Sequence, residues 1–162
     1  MKTLLILRHA KSSKDDPTLH DHARPLNDRG KRDAPGVGVM LQHKDLIPEE
    51  ILSSTAVRAQ ETARGAARGC GFKKDIQLIA KFYPGEPQDY ITVLKKLSDQ
   101  LSRVMVVGHN PGIEELISVL TGTLEEIPTA ALTHLELPID HWSELSYKTH
   151  AQLISIWRPK NA

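Results

Sequence analysis

An α/β sandwich is the fold class this sequence predicts, and three observations predict it. Short aliphatic runs at 3–7, 49–54, 76–80 and 103–108 alternate with longer stretches of helical spacing. The first and last of these runs, TLLIL and RVMVVG, are unbroken enough to be buried on both faces, as strands inside a parallel sheet are. The chain has 162 residues, the size of one domain with one substantial core, so 1–162 reads as a single unit.

Taken in order, 3–7 is the first strand. The stretch Asp28 to His43 sets Val37, Met40 and Leu41 on one helical face behind Asn27 as cap, while Pro35, Gly36 and Gly38 predict a kink or a late start. The run 49–54 is a second strand. Behind it an Ala-rich helix extends from about Ala56 to Gly69, closed by the glycine. After the strand at 76–80, a helix entered through Pro87 carries Tyr90, Val93, Leu94 and Leu97 at helical spacing. The strand at 103–108 leads into a further helix, with Asn110 as N-cap, Pro111 as first helical residue, and Ile113, Leu116, Ile117 and Leu120 on its apolar face. LTHLEL at 132–137 and AQLISIW at 151–157 alternate with period two, which predicts two more strands at a sheet edge.

Composition narrows the function classes. A formal charge of +1, with basic and acidic residues interspersed, gives no stripe for a polyanion, and an aromatic share of 4% gives no stacking surface for single-stranded nucleic acid. The lone Cys70 has no partner for a disulfide and no CxxC neighbour. The apolar start is cut by Arg8 and His9 before a secretory core or membrane span could form. A cytoplasmic protein with no membrane partner is the expectation, and a monomer, since no exposed apolar stripe stands out.

Chemistry concentrates where strands end. RHAKS follows the first strand, SSTAVRAQET the second, and VVGHNPG the fourth. In parallel α/β sheets the carboxyl ends of strands line the ligand crevice, so Arg8, His9, Arg58 and His109 are expected to converge. Two arginines and two histidines in one crevice repel one another unless an anion is present. A phosphoryl group meets that demand through guanidinium forks and imidazole donors, helped by the positive end of the helix beside His109. Each residue alone has a plainer reading: Arg8 and His9 as a solvated strand end, Arg58 as a helix-surface residue, His109 as a cap. Their joint occurrence favours the pocket.

These segments, LLILRHAKSS, DHARPLNDRG, ILSSTAVRAQETA and VVGHNPG, with a late Trp-containing stretch, resemble the histidine phosphatase superfamily, and within it the small SixA-like phosphohistidine phosphatases. The resemblance implies a three-layer α/β/α sandwich on a mostly parallel central sheet, like that of phosphoglycerate mutases. It also implies a mechanism without cofactor or metal: His9 attacks phosphorus to form a phosphohistidine, Arg8, Arg58 and His109 hold the equatorial oxygens, and water releases phosphate. His9 must then be neutral, its tautomer fixed by an acceptor such as a backbone carbonyl, while phosphate pushes His109 toward a protonated donor. Ala10 stands where the commoner signature has Gly, and Thr55 where Pro is frequent; neither removes a charged participant.

Many relatives protonate the leaving oxygen with a Glu. Glu86 is the nearest candidate by position, although it equally suits the start of the helix entered through Pro87. The lack of a clear acid favours phosphohistidine in a protein, whose nitrogen leaving group is readily protonated, over an alkyl phosphate. Lys11, Ser12 and Asp15 lie in the loop where relatives place further phosphate or substrate contacts, and Arg24 borders the mouth. His20 and His22 mimic a metal pair but read as loop residues, because no second pair accompanies them. Alternatives are a phosphomonoesterase acting on a small metabolite, a phosphoglycerate mutase-type transferase, and a silent phosphoprotein-binding module.

Overall fold

The computed structural model describes residues 1–159. Its centre is a six-stranded sheet built from β1 (Lys2–Arg8), β2 (Glu50–Ser54), β3 (Gln77–Ile79), β4 (Arg103–Gly108), β5 (Leu132–Leu137) and β6 (Gln152–Trp157), in the order β3-β2-β4-β1-β5-β6. The first four in that order pair parallel, and β5 and β6 add antiparallel at one edge. The helices are α1 (Asp28–His43), α2 (Val57–Cys70), α3 (Pro87–Leu94) and α4 (Gly112–Thr121).

The two unbroken aliphatic runs occupy the middle of the sheet for a simple reason. Leu4 and Ile6 of β1, with Val104 and Val106 of β4, pack on the face covered by α3 and α4. Leu5, Leu7, Met105 and Val107 pack on the opposite face, covered by α1 and α2. Period-two alternation with apolar residues in both phases needs a layer on each side, and the three-layer sandwich supplies both. Burying these eight side chains completely, at about 1.5–3 kcal/mol each, makes this the strongest part of the core.

Three local expectations are corrected. Helix α1 has no late start: it runs unbroken from Asp28 with Pro35 inside it, and Asn27 Oδ1 accepts the Gly30 N–H at 2.9 Å as cap. Packing of α1 on α2 supplies what the missing N–H takes away. Helix α2 passes Gly69 and ends at Cys70, because Gly71, at φ 76°, is the residue in the left-handed conformation that closes it. Asn110 does not cap α4. Pro111 holds the cap position, while Asn110 Nδ2 donates to the Ile127 carbonyl at 2.9 Å, an acceptor from a loop that crosses the helix start.

Candidate active site

The parallel register brings the chemistry together. Arg8 lies opposite Gly108 and Ser53 opposite Val107, so β1, β2 and β4 end along one edge of the sheet. The residues just beyond, His9, Ser54 and His109, are buried there, and Arg58 reaches the same place from the first turn of α2. The His9 and His109 rings have centroids 5.1 Å apart, inclined at 52°.

Each ring is held by one nitrogen. His9 Nδ1 lies 2.7 Å from the Ala10 carbonyl, which can only accept, so Nδ1 carries the proton and Nε2 keeps its lone pair. The Ala10 N–H is in turn held by Thr62 Oγ1 at 2.9 Å, and the Thr62 hydroxyl donates to the Arg58 carbonyl at 2.7 Å. Helix α2 therefore fixes the loop that carries His9. His109 Nε2 meets Ser54 Oγ at 2.8 Å, an oxygen that already accepts the Ala56 N–H. The free direction of that hydroxyl suits donation to Nε2, which leaves Nδ1–H as the donor on the other side of the ring.

Burial and cationic neighbours keep both rings neutral. Desolvation, followed by Arg58, Arg8 and Arg24, lowers the His9 pKa to about 4, against the opposing pull of the Ala10 carbonyl. Desolvation first, then His9 and Arg58, takes His109 down to about 3. Arg8 donates from Nη1 to the Ile127 carbonyl at 2.9 Å, which ties β1 to the same loop that holds Asn110. Arg8 Nε, Arg58 Nε and His109 Nδ1 are buried without a partner among the described residues. Such orphaned nitrogens at three of four converging cationic or near-cationic residues are what an anion-binding pocket contains.

Tyr90 packs closely on the end of β4, just before His109. A side chain on Gly108 would meet the Tyr90 hydroxyl at 2.0 Å, and one on Gly112 would meet the Gly85 carbonyl at 1.8 Å. Only glycines let Tyr90 of α3 approach the end of β4, and the turn at Gly85 approach the start of α4, this closely.

The structure brings Arg8, His9, Arg58 and His109 together and sorts the other candidates. Arg24 is half-buried and joins the site through Ser12, donating from Nη1 to Ser12 Oγ at 3.0 Å and to the Ser13 carbonyl at 3.3 Å. Lys11 and Asp15 are exposed. The Lys11 carbonyl accepts from Asn27, and the Asp15 N–H donates to Ser13 Oγ at 3.1 Å, so both are seen serving the loop through their backbones. Glu86 is exposed at the cap position of α3, where its N–H is taken by the Asp89 carboxylate at 2.9 Å.

The carboxylate that does enter the site is Asp21, which sequence reasoning missed. It binds Arg58, Arg24 and the Tyr83 hydroxyl. His22 beside it meets Thr55 Oγ1 at 2.9 Å and stands edge-on against the Tyr83 ring. The available signal was Asp21 three residues before Arg24, a spacing at which an acid and a base can pair.

Comparison with known proteins gives concordant matches. The family description "Histidine phosphatase superfamily (branch 1)" matches residues 4–82. An uncharacterized chloroplastic protein of Arabidopsis thaliana is 35% identical over 88% of this chain and 70% of its own. An uncharacterized protein of Mycobacterium tuberculosis is 30% identical over 86% of this chain and 91% of its own. Among solved structures, the "putative phosphohistidine phosphatase SixA from Agrobacterium tumefaciens" superposes with a TM-score of 0.83 at 26% identity, covering 98% of each chain.

Proposed function

This chain belongs to the histidine phosphatase superfamily, within its SixA-like group, and we propose that it is a phosphatase that hydrolyses phosphohistidine in a protein through a covalent intermediate on His9. One observation carries the reading. A buried neutral imidazole has its Nδ1 proton committed to the Ala10 carbonyl, and it lies near two arginines and a second neutral histidine, each with a buried side-chain nitrogen that has no partner among the described residues.

The His9 Nε2 lone pair attacks phosphorus, the new N–P bond forming as the substrate's N–P bond breaks. The departing imidazole takes a proton from solvent. Arg8, Arg58 and the His109 Nδ1–H hold the equatorial oxygens, where charge accumulates as the phosphoryl group passes between nitrogens. A water molecule then attacks the phosphohistidine, and His9 returns to its starting tautomer as inorganic phosphate leaves.

The carboxylates support a phosphoramidate over an alkyl ester. An alkoxide needs a dedicated acid at its departure, whereas an imidazole leaving group can take its proton from solvent. Asp21, the acid bonded to Arg58, is held far below the usual carboxylate range by the Tyr83 hydroxyl and then by Arg58 and Arg24, so it stays ionised. Glu86 stands exposed at a helix cap.

The test is trapping. Wild type, incubated with a phosphohistidine protein labelled in phosphate and quenched in alkali, is expected to carry acid-labile label on the peptide containing His9. His9→Ala is expected to carry none and to release no phosphate. If p-nitrophenyl phosphate is turned over and the phosphohistidine protein is not, the enzyme is a phosphomonoesterase. Return of label to a phosphoglycerate would make it a mutase, and binding without release a silent module.

A further inference from the structure

Arg58 must present its guanidinium at a fixed angle to serve a phosphoryl oxygen, and the residue that fixes it comes from a distant loop. Both terminal nitrogens are committed to one residue: Nη1 donates to the Asp21 carbonyl at 2.7 Å and Nη2 to Asp21 Oδ2 at 2.9 Å. Asp21 is itself held from two further directions. Its Oδ2 accepts the Tyr83 hydroxyl at 2.7 Å, and its Oδ1 accepts Arg24 Nη2 at 2.9 Å and Nε at 3.2 Å. Arg24 is anchored in turn on Ser12 Oγ and the Ser13 carbonyl, and the Tyr83 ring stands edge-on to His109 with centroids 5.5 Å apart.

We infer that Asp21 is a positioning residue for phosphate: by gripping the terminal end of the Arg58 guanidinium, it turns the Nε edge toward the phosphoryl group. A guanidinium has five N–H donors, and this grip uses two of them. The Nε–H, buried without a partner among the described residues, is left with one N–H on each terminal nitrogen, enough for a two-point contact with a phosphoryl group. The Asp21 carboxylate also offsets, at His109, part of the charge that Arg58 and Arg8 impose. Half of the Asp21 side chain is exposed, so the clamp forms the rim of the pocket.

The opposite role, an internal anion that competes with phosphate for Arg58, would use the same contacts but reverse the effect of neutralising them. The inference rests on the proposed function, and the test separates the two. Inorganic phosphate affinity is measured calorimetrically, alongside kcat and KM for p-nitrophenyl phosphate and the unfolding temperature, in wild type, Asp21→Asn, Tyr83→Phe and Asp16→Asn. Positioning predicts that Asp21→Asn weakens phosphate binding on the order of tenfold or more and lowers kcat. Tyr83→Phe, which removes one donor and leaves Asp21 and Arg58 in place, is expected to weaken phosphate binding about threefold, and it carries the test if Asp21→Asn does not fold. Asp16→Asn, in the same loop with its carboxylate bonded to Thr18, is expected to match wild type in both. Unchanged or tighter phosphate binding in Asp21→Asn, or in Tyr83→Phe where that variant carries the test, overturns the positioning role while leaving the phosphatase intact. Wild type that neither binds phosphate nor hydrolyses the ester overturns both.

Discussion

Ser54 does two things with one oxygen, accepting the Ala56 N–H at 3.2 Å and meeting His109 Nε2 at 2.8 Å. The first contact orients the hydroxyl and the second selects which imidazole nitrogen carries the proton. Ser54→Ala leaves Nε2 buried and unpaired and frees His109 to adopt the tautomer that turns a lone pair, not a proton, toward the proposed phosphate position. A buried unsatisfied group costs about 1–3 kcal/mol, so kcat/KM is expected to fall roughly ten- to a hundredfold. Nitrogen NMR of the His109 ring should show the change of tautomer; an unchanged spectrum with unchanged turnover would remove Ser54 from the site. At this scale the sequence was legible where a candidate residue ends or directly follows its own strand, as Arg8 and His9 do. Ser54 could be placed near Arg58 by spacing, but its bond to a histidine 55 positions away could not be read. Asp21 was hidden for the same reason, since its partners Arg58 and Tyr83 lie 37 and 62 positions along the chain.

Helices α1 and α2 meet through their smallest residues. A side chain at Gly38 would lie 2.1 Å from the Ala66 carbonyl and 2.7 Å from the Cys70 nitrogen, and one at Gly69 would lie 2.2 Å from the Pro35 carbonyl. Here the obstacle is backbone, which cannot swing aside. Gly38→Ala therefore has to push the helices apart, at a cost near the top of the usual overpacking range, about 3 kcal/mol. In a chain of this size that lowers the unfolding temperature by roughly 6–12 °C. Gly36→Ala, two residues earlier with nothing within 4 Å, is the control, expected to be neutral or stabilising. Equal unfolding temperatures for the two variants would refute the close approach. The same contact explains why α1 was only partly legible. Pro35 and two glycines predict an interrupted helix when only local propensity is weighed. In the fold Gly38 admits α2, and Pro35 sits against Gly65 and Gly69. The strands were more legible, because apolar residues in both phases of β1 and β4 have one solution, burial on both faces. Asn110 was misread because a side-chain amide before a helix caps it only when no carbonyl crosses its path, and Ile127 brings one.

Across the whole molecule, the pocket sets a stability cost that depends on pH. His9 and His109 titrate near 6.5 when unfolded, but at about 4 and about 3 in the fold, because burial and then the arginines and the neighbouring ring disfavour their charge. Between those values and 6.5 the unfolded chain binds more protons than the folded one, so stability rises with pH there. Equivalently, the contribution is complete above about pH 6.5 and is lost progressively as pH falls toward 4 and 3. The surface pair His141–Asp99, whose bond raises the imidazole's pKa, acts in the opposite sense, helping below pH 6.5 and fading above it. With both partners at least half exposed, that pair is weakened by solvent and salt and cannot mask the buried histidines. The unfolding temperature is therefore expected to drop steeply between pH 6.5 and 4 in wild type and more shallowly in a His9→Gln, His109→Gln double variant, which has no imidazole to protonate there. Inorganic phosphate should also flatten the wild-type slope, since its negative charge raises the proton affinity of both rings in the folded state and narrows the gap from the unfolded value. Parallel curves for wild type and double variant, with and without phosphate, would mean that these rings are not held neutral in the fold, and His9 would then lack the lone pair on which its attack depends.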